Sequence, residues 1–264
     1  MIKTNREEYD LIVSLGGSCH VASQLRHRGL RVCSLPLDWT LMVDERPIQW
    51  LLQGIRSRFE GFCQRENVYA FESPTEEYGT IKQRLQDEVS GFRFIHHFSA
   101  APDNKILFNK ERSVIQRRID RFYERIYASK HVLFVLGTVF SYDFSLAEEL
   151  YKSVVAAFPL VDVELICIQF SASKCSDVDL FEGKLHIMTC ERPVNSVYDN
   201  QLTSSEWCWL DLLSLTGYPP ATELRKKNFL VKLKYKLWMW LGKSLNRHGA
   251  GCANMRFRKW DPYR

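Results

Sequence analysis

The sequence predicts an α/β domain, a layered, Rossmann-like and mostly parallel sheet flanked by helices. Three observations predict it. Short apolar runs at 10–15, 92–95, 132–136, 163–168 and 185–188 are rich in Val, Ile and Phe. They are nearly continuous rather than alternating, as strands covered on both faces are. Helical spacing fills several of the gaps between them, and strands alternating with helices imply right-handed crossovers.

Taken in order, the run at 10–15 ends in Gly16 and Gly17, after which Val21, Ala22 and Leu25 recur at helical spacing until Gly29. The stretch 63–87 is polar and poorly patterned and reads as a surface excursion. A helix is predicted over 112–129, with Val114, Ile115, Ile119, Phe122 and Ile126 on one face and basic residues opposite. A second spans 145–158, carries Leu146, Leu150, Val154, Val155 and Phe158, and is ended by Pro159. Trp207, Trp209, Leu210, Leu212 and Leu213 suggest a late helix, and Gly217, Pro219 and Pro220 mark a linker. The chain therefore divides into an α/β domain over 1–216 and a basic segment over 217–264.

Composition excludes several classes. A 264-residue chain with 45% hydrophobic and 25% charged residues is ordinary for a globular protein. Its eight cysteines include no C-x-x-C pair, so zinc-ribbon and thioredoxin motifs are absent and no metal or cofactor is expected. The charged N-terminus does not read as a signal peptide, and no run is long enough to span a bilayer. A reducing cytoplasm is the expected location. Residues 224–264 hold twelve Lys or Arg against the single acid Asp261, so this segment is strongly basic and the rest of the chain is net acidic. Over 225–245, Leu230, Leu233, Leu237, Trp240, Leu241 and Leu245 form an amphipathic stripe with lysines off it. That pattern suits a peripheral position on the anionic inner face of a membrane, or a helix packed on the core. The stripe is too apolar for a nucleic-acid surface.

The chemistry centres on Cys19, placed by the double glycine where a strand turns into a helix. Unpaired amides and the helix dipole favour a thiolate there, although a free cysteine is commonly just a buried packing residue. His96 and His97 are the candidate bases. On a strand they would face opposite ways, so at most one would face Cys19. Asp38, in Ser34-Leu35-Pro36-Leu37-Asp38-Trp39, reads either as a helix N-cap or as a buried acid with a specific partner. Arg26, Arg118 and Arg121, with neighbouring arginines, could hold a phosphate or carboxylate or could be solvated helix faces. Gly16, Gly17 and Ser18 could hold an anion at the helix N-terminus.

Ser14-Leu15-Gly16-Gly17-Ser18-Cys19, then Ala22, Gln24-Leu25-Arg26, Gly29-Leu30-Arg31 and Ser34 through Trp39, resemble the opening signature of a bacterial family of papain-like cysteine peptidases of unknown function. His96-His97-Phe98 and the arginine-rich 117–122 before the run at 132–135 resemble its later elements. The resemblance covers residues 10–215. It implies Cys19 as nucleophile, His96 as base and Asp38 as a candidate orienting acid, since His97 stands where the family has an aspartate. It also makes a papain-like α+β arrangement the alternative fold. Three functions follow. The first is a cysteine-dependent hydrolase or acyl/glycan transferase with a Cys-His dyad or Cys-His-Asp triad, acting on a peptide, acyl or glycan substrate. The second is a non-covalent phosphate-sugar or glycan transferase of surface polysaccharide synthesis that uses the arginines. The third is a non-catalytic binding protein.

Overall fold

A computed structural model describes residues 9–27, 30–77, 79–99, 101–171 and 176–191. The late helix, the linker and the basic stripe at 225–245 lie outside them. The described residues form a mixed α/β structure with two sheets. The larger sheet has five strands in the order β1 (Leu11–Ser14), β6 (His131–Gly137), β7 (Asp162–Ser171), β9 (Leu185–Glu191) and β8 (Ser176–Leu180). β1, β6, β7 and β9 run parallel, and only β8 is antiparallel, at the edge.

Side-chain alternation assigns each apolar run to two cores at once. Ile12, Leu133, Val135, Ile166 and Ile168 point to the face covered by Val21 and Leu25 of α1 (Cys19–His27). Val13, Val132, Phe134, Leu165 and Ile187 point the other way, into the core that holds α3 (Lys105–Tyr127) and α4 (Phe144–Ala157). This is why those runs read as continuous rather than alternating. α3 begins seven residues before the predicted start, because Asn104 accepts from the Leu107 N–H and Phe108 extends the buried stripe by two turns. Val114 is exposed, so the stripe runs through Phe108, Ile115, Ile119, Phe122, Tyr123 and Ile126 instead. α4 matches the expectation to within one residue and is capped by Asp143, which accepts from the Ser145 N–H.

The second sheet is antiparallel, in the order β2 (Thr40–Leu41), β5 (Arg93–Phe94), β4 (Thr80–Asp87) and β3 (Val68–Glu77). Its presence corrects two expectations. The surface excursion expected at 63–87 is an ordered one and carries the β3–β4 hairpin, which the sequence pattern does not mark as strand. β3 shows almost no burial, so no apolar alternation marks it. The run at 92–95 belongs to this antiparallel sheet and not to the parallel one. α2 (Arg46–Gly54) starts with Pro47 in its first turn and packs on α4.

Aromatic rings join the two halves. Phe62 contacts Trp50, Phe92 and Phe94 on the antiparallel side. Phe122 contacts Phe134 and Phe158 on the parallel side. Phe59 touches both Phe62, at 5.7 Å, and Phe122, at 5.3 Å between ring centroids. Among the described residues no helix is long and apolar enough to cross a membrane.

Candidate active site

Cys19 is the first residue of α1, at the strand-to-helix turn that the double glycine predicted. The turn tolerates only glycine at its centre. Gly16 and Gly17 have φ of +79° and +92°, and a Cβ on Gly17 would lie 2.4 Å from the Gly137 carbonyl oxygen at the end of β6. The Gly16 carbonyl accepts from Gly137 N–H and the Gly17 carbonyl from Met42 N–H, so the loop is pinned between the two sheets. The Ser18 hydroxyl accepts from the His20 N–H and caps α1.

Burial dominates the thiol. It pushes Cys19 up to about 11, with the residue's own amide pulling it down, Glu77 pushing it further up and Arg84 opposing Glu77. The expected resting thiolate is therefore corrected, because desolvation of the sulfur outweighs the helix amides.

The two histidines lie just beyond β5 and diverge. His96 is 38% exposed at its side chain and its Nδ1 sits 2.6 Å from Glu77 Oε2. With the carboxylate accepting from Nδ1–H, Nε2 is left as the nitrogen that can exchange a proton. The other Glu77 oxygen pairs with Arg84 Nη2 at 3.2 Å, and Arg84 Nη1 donates to the Ile95 carbonyl. The Gln83 N–H donates to the Phe98 carbonyl and ties β4 to the histidine segment. His97 packs edge-on against Phe94 with both ring nitrogens buried. Burial first, then Arg118, His96 and Lys82, holds it down to about 3, so it is a neutral packing histidine at physiological pH.

Asp38 is the buried acid with a partner, not a helix cap. Its Oδ2 accepts from Arg31 Nε at 2.8 Å and from the Leu35 N–H at 2.9 Å. The carboxylate against His96 comes from Glu77, which sequence reasoning missed. A single glutamate on an exposed strand, nineteen positions from its histidine, gives no local signal. The arginines of α3 turn toward the same loop. Arg121 donates to the Ser34 carbonyl, and Arg118 lies close enough to act on Asp38 and His97, with its Nη1 buried and unpartnered among the described residues. Arg26 instead lies over the Trp39 ring, 5.1 Å from its centroid. Trp39 in turn meets His96 edge-on at 6.1 Å. Among the described residues no group of three or more His, Cys, Asp or Glu converges as a metal site would.

No solved structure matches the chain. An uncharacterized protein of Acanthamoeba polyphaga mimivirus is 29% identical over 139 residues, covering 47% of this chain, and the aligned region spans 60% of that relative's length. A family model described as "Putative papain-like cysteine peptidase (DUF1796)" matches residues 10–168. That match covers more than half of the chain and includes the Cys19 turn, the Glu77 hairpin and both histidines, and the chain belongs to this family.

Proposed function

We propose that the protein is a cysteine-dependent hydrolase in which Cys19 is the nucleophile, His96 the general base and Glu77 the residue that orients His96. The observation that carries this reading is the His96–Glu77 pair, whose carboxylate acts electrostatically on a cysteine at the first residue of a glycine-initiated helix. We read the parallel sheet, with α1 on one face and α3 and α4 on the other, as Rossmann-like layering. The phosphate-sugar reading has less support, because Arg31 and Arg121 hold the 31–38 loop.

A thiol near 11 is only about one part in ten thousand thiolate at pH 7. Catalysis therefore runs through base-assisted attack rather than a preformed ion pair. The thiol proton passes to His96 Nε2 as sulfur bonds to the substrate carbonyl carbon. The Cys19 N–H, the first-turn amide that Ser18 does not engage, faces the developing oxyanion. His96 then protonates the leaving group, giving a thioester, and water deprotonated by His96 hydrolyses it and restores the thiol. Glu77 fixes the tautomer and stabilises the imidazolium formed in each step.

p-Nitrophenyl acetate, an activated ester, tests this. The wild-type protein should release p-nitrophenolate and carry an acetyl group on Cys19 by mass spectrometry, and Cys19→Ala should do neither while keeping its circular dichroism. Glu77→Gln separates the two roles of the carboxylate. Turnover should fall by about 100-fold, yet iodoacetamide alkylation of Cys19 at pH 8 should quicken by roughly threefold, because a charge that disfavours the thiolate is gone. Wild-type turnover in Cys19→Ala returns Cys19 to a packing role. A Glu77→Gln protein unchanged in both assays removes Glu77 from the site.

A further inference from the structure

We propose that Arg26 and Trp39 form an anion-recognition subsite beside Cys19, so that the substrate is an extended acyl or peptide chain bearing a carboxylate about three residues from the attacked carbonyl. This rests on the Cys19 reading above for the identity of the attacked carbonyl, but the recognition it describes is a binding property.

Backbone strain first points to Trp39. It adopts φ +65°, a conformation that disfavours any side chain with a Cβ. The turn holding it there is over-determined. Asp38 is clasped by Arg31 and Leu35, the Thr40 hydroxyl donates to the Leu37 carbonyl, and Gly16 packs so close that a Cβ on it would lie 2.5 Å from Thr40 Oγ1. Strain maintained in this way is characteristic of functional positions. The strained residue holds its indole perpendicular to the His96 ring, 6.1 Å between centroids.

Two guanidinium groups lie over that indole, Arg26 at 5.1 Å and Arg31 at 5.6 Å from its centroid, and their chemistry differs. Arg31 donates to Asp38 and to the Ser34 hydroxyl. Arg26 makes no hydrogen bond and no ion pair among the described residues, so its fork of donors stays available. The local acids are already engaged, Asp38 by Arg31 and Glu77 by Arg84 and His96. A guanidinium stacked on an aromatic face is pre-oriented and keeps its in-plane N–H groups free for a bidentate carboxylate.

Position along α1 supplies the length. Arg26 follows Cys19 by seven residues, two helical turns, which returns it to the same face about 10 Å along the axis. An extended chain covers that distance in about three residues. The shared chemistry is a forked anion, which a phosphate group also offers.

The test is calorimetric titration of the full-length chain with acetylated tetrapeptide amides Ala-Ala-Ala-Glu, Ala-Ala-Ala-Gln and Ala-Ala-Ala-phosphoserine. The glutamate peptide should bind about tenfold tighter than its glutamine counterpart. Arg26→Met should bring the two to parity, and Arg26→Lys should lose most of the preference, because an ammonium does not stack and fork as a guanidinium does. A phosphoserine peptide that outcompetes glutamate assigns the subsite to a phosphate group instead. Equal binding of the glutamate and glutamine peptides by the wild type, or a preference that survives both substitutions, overturns the proposal. Because the titration reads binding alone, its outcome is independent of whether p-nitrophenyl acetate is hydrolysed.

Discussion

His97 shows how one side chain can control the response to acid. Its folded-state pKa is depressed to about 3 from the ordinary 6.5, first by burial and then by Arg118, His96 and Lys82, which disfavour a further cation, with the Asp38 backbone opposing them. The unfolded chain binds the proton more readily, so stability rises with pH across this window. The contribution is complete above 6.5 and is lost as pH falls toward 3. His97→Phe, which keeps a ring edge-on to Phe94, should hold its native circular dichroism to a lower pH than the wild type, with a midpoint shift of roughly half a unit. An unchanged midpoint would assign acid unfolding to other groups. At this scale the sequence was partly legible. Asp38 stood out as a buried acid because apolar neighbours surround it, but its partner Arg31 did not, because only the folded loop brings them together. Glu77 was invisible for the same reason.

The β1–α1 turn is the element on which the site depends. Gly17→Ala forces a Cβ toward the Gly137 carbonyl at a φ of +92°, and the obstacle is backbone that cannot rotate aside. We expect a loss of about 2–4 kcal/mol in urea unfolding. The folded fraction should also hydrolyse p-nitrophenyl acetate more slowly, because relieving the clash displaces the first turn of α1. Wild-type stability in this variant would mean the turn relaxes without consequence. Elements were legible where burial left a period. The four parallel strands and α4 could be read from their apolar runs, whereas β3 and β4 could not, because β3 buries only Val68 and β4 only its last three residues, too few to set a period.

Across the described residues, Cys19 rides on the parallel sheet and His96 on the antiparallel one, and Phe59 is an aromatic bridge between their cores. Phe59→Ala opens a cavity among Trp50, Phe62, Phe122 and Tyr123 and should cost about 3–5 kcal/mol of stability. Its activity per folded molecule should also fall, measured well below the unfolding midpoint, since the two halves of the site lose their common support. A Phe59→Ala protein that is less stable yet fully active per folded molecule would show the sheets docked by other contacts. The mixed α/β class was legible from alternation, and the second sheet was not, because its shortest strands have two residues each.

The β3–β4 hairpin also counts. Side chains on a strand alternate faces, so whether Glu77 points at His96 depends on the odd or even number of residues between it and the last fixed pairing. Two register shifts, between Ala70 and Glu72 and between Glu72 and Thr75, set that parity. Losing or gaining one residue there would turn the carboxylate to the opposite side without altering any residue of the core, and a change of two would turn it back. The His96–Glu77 pairing is thus encoded partly as an arithmetic property of a strand, a matter of how many residues stand there rather than which.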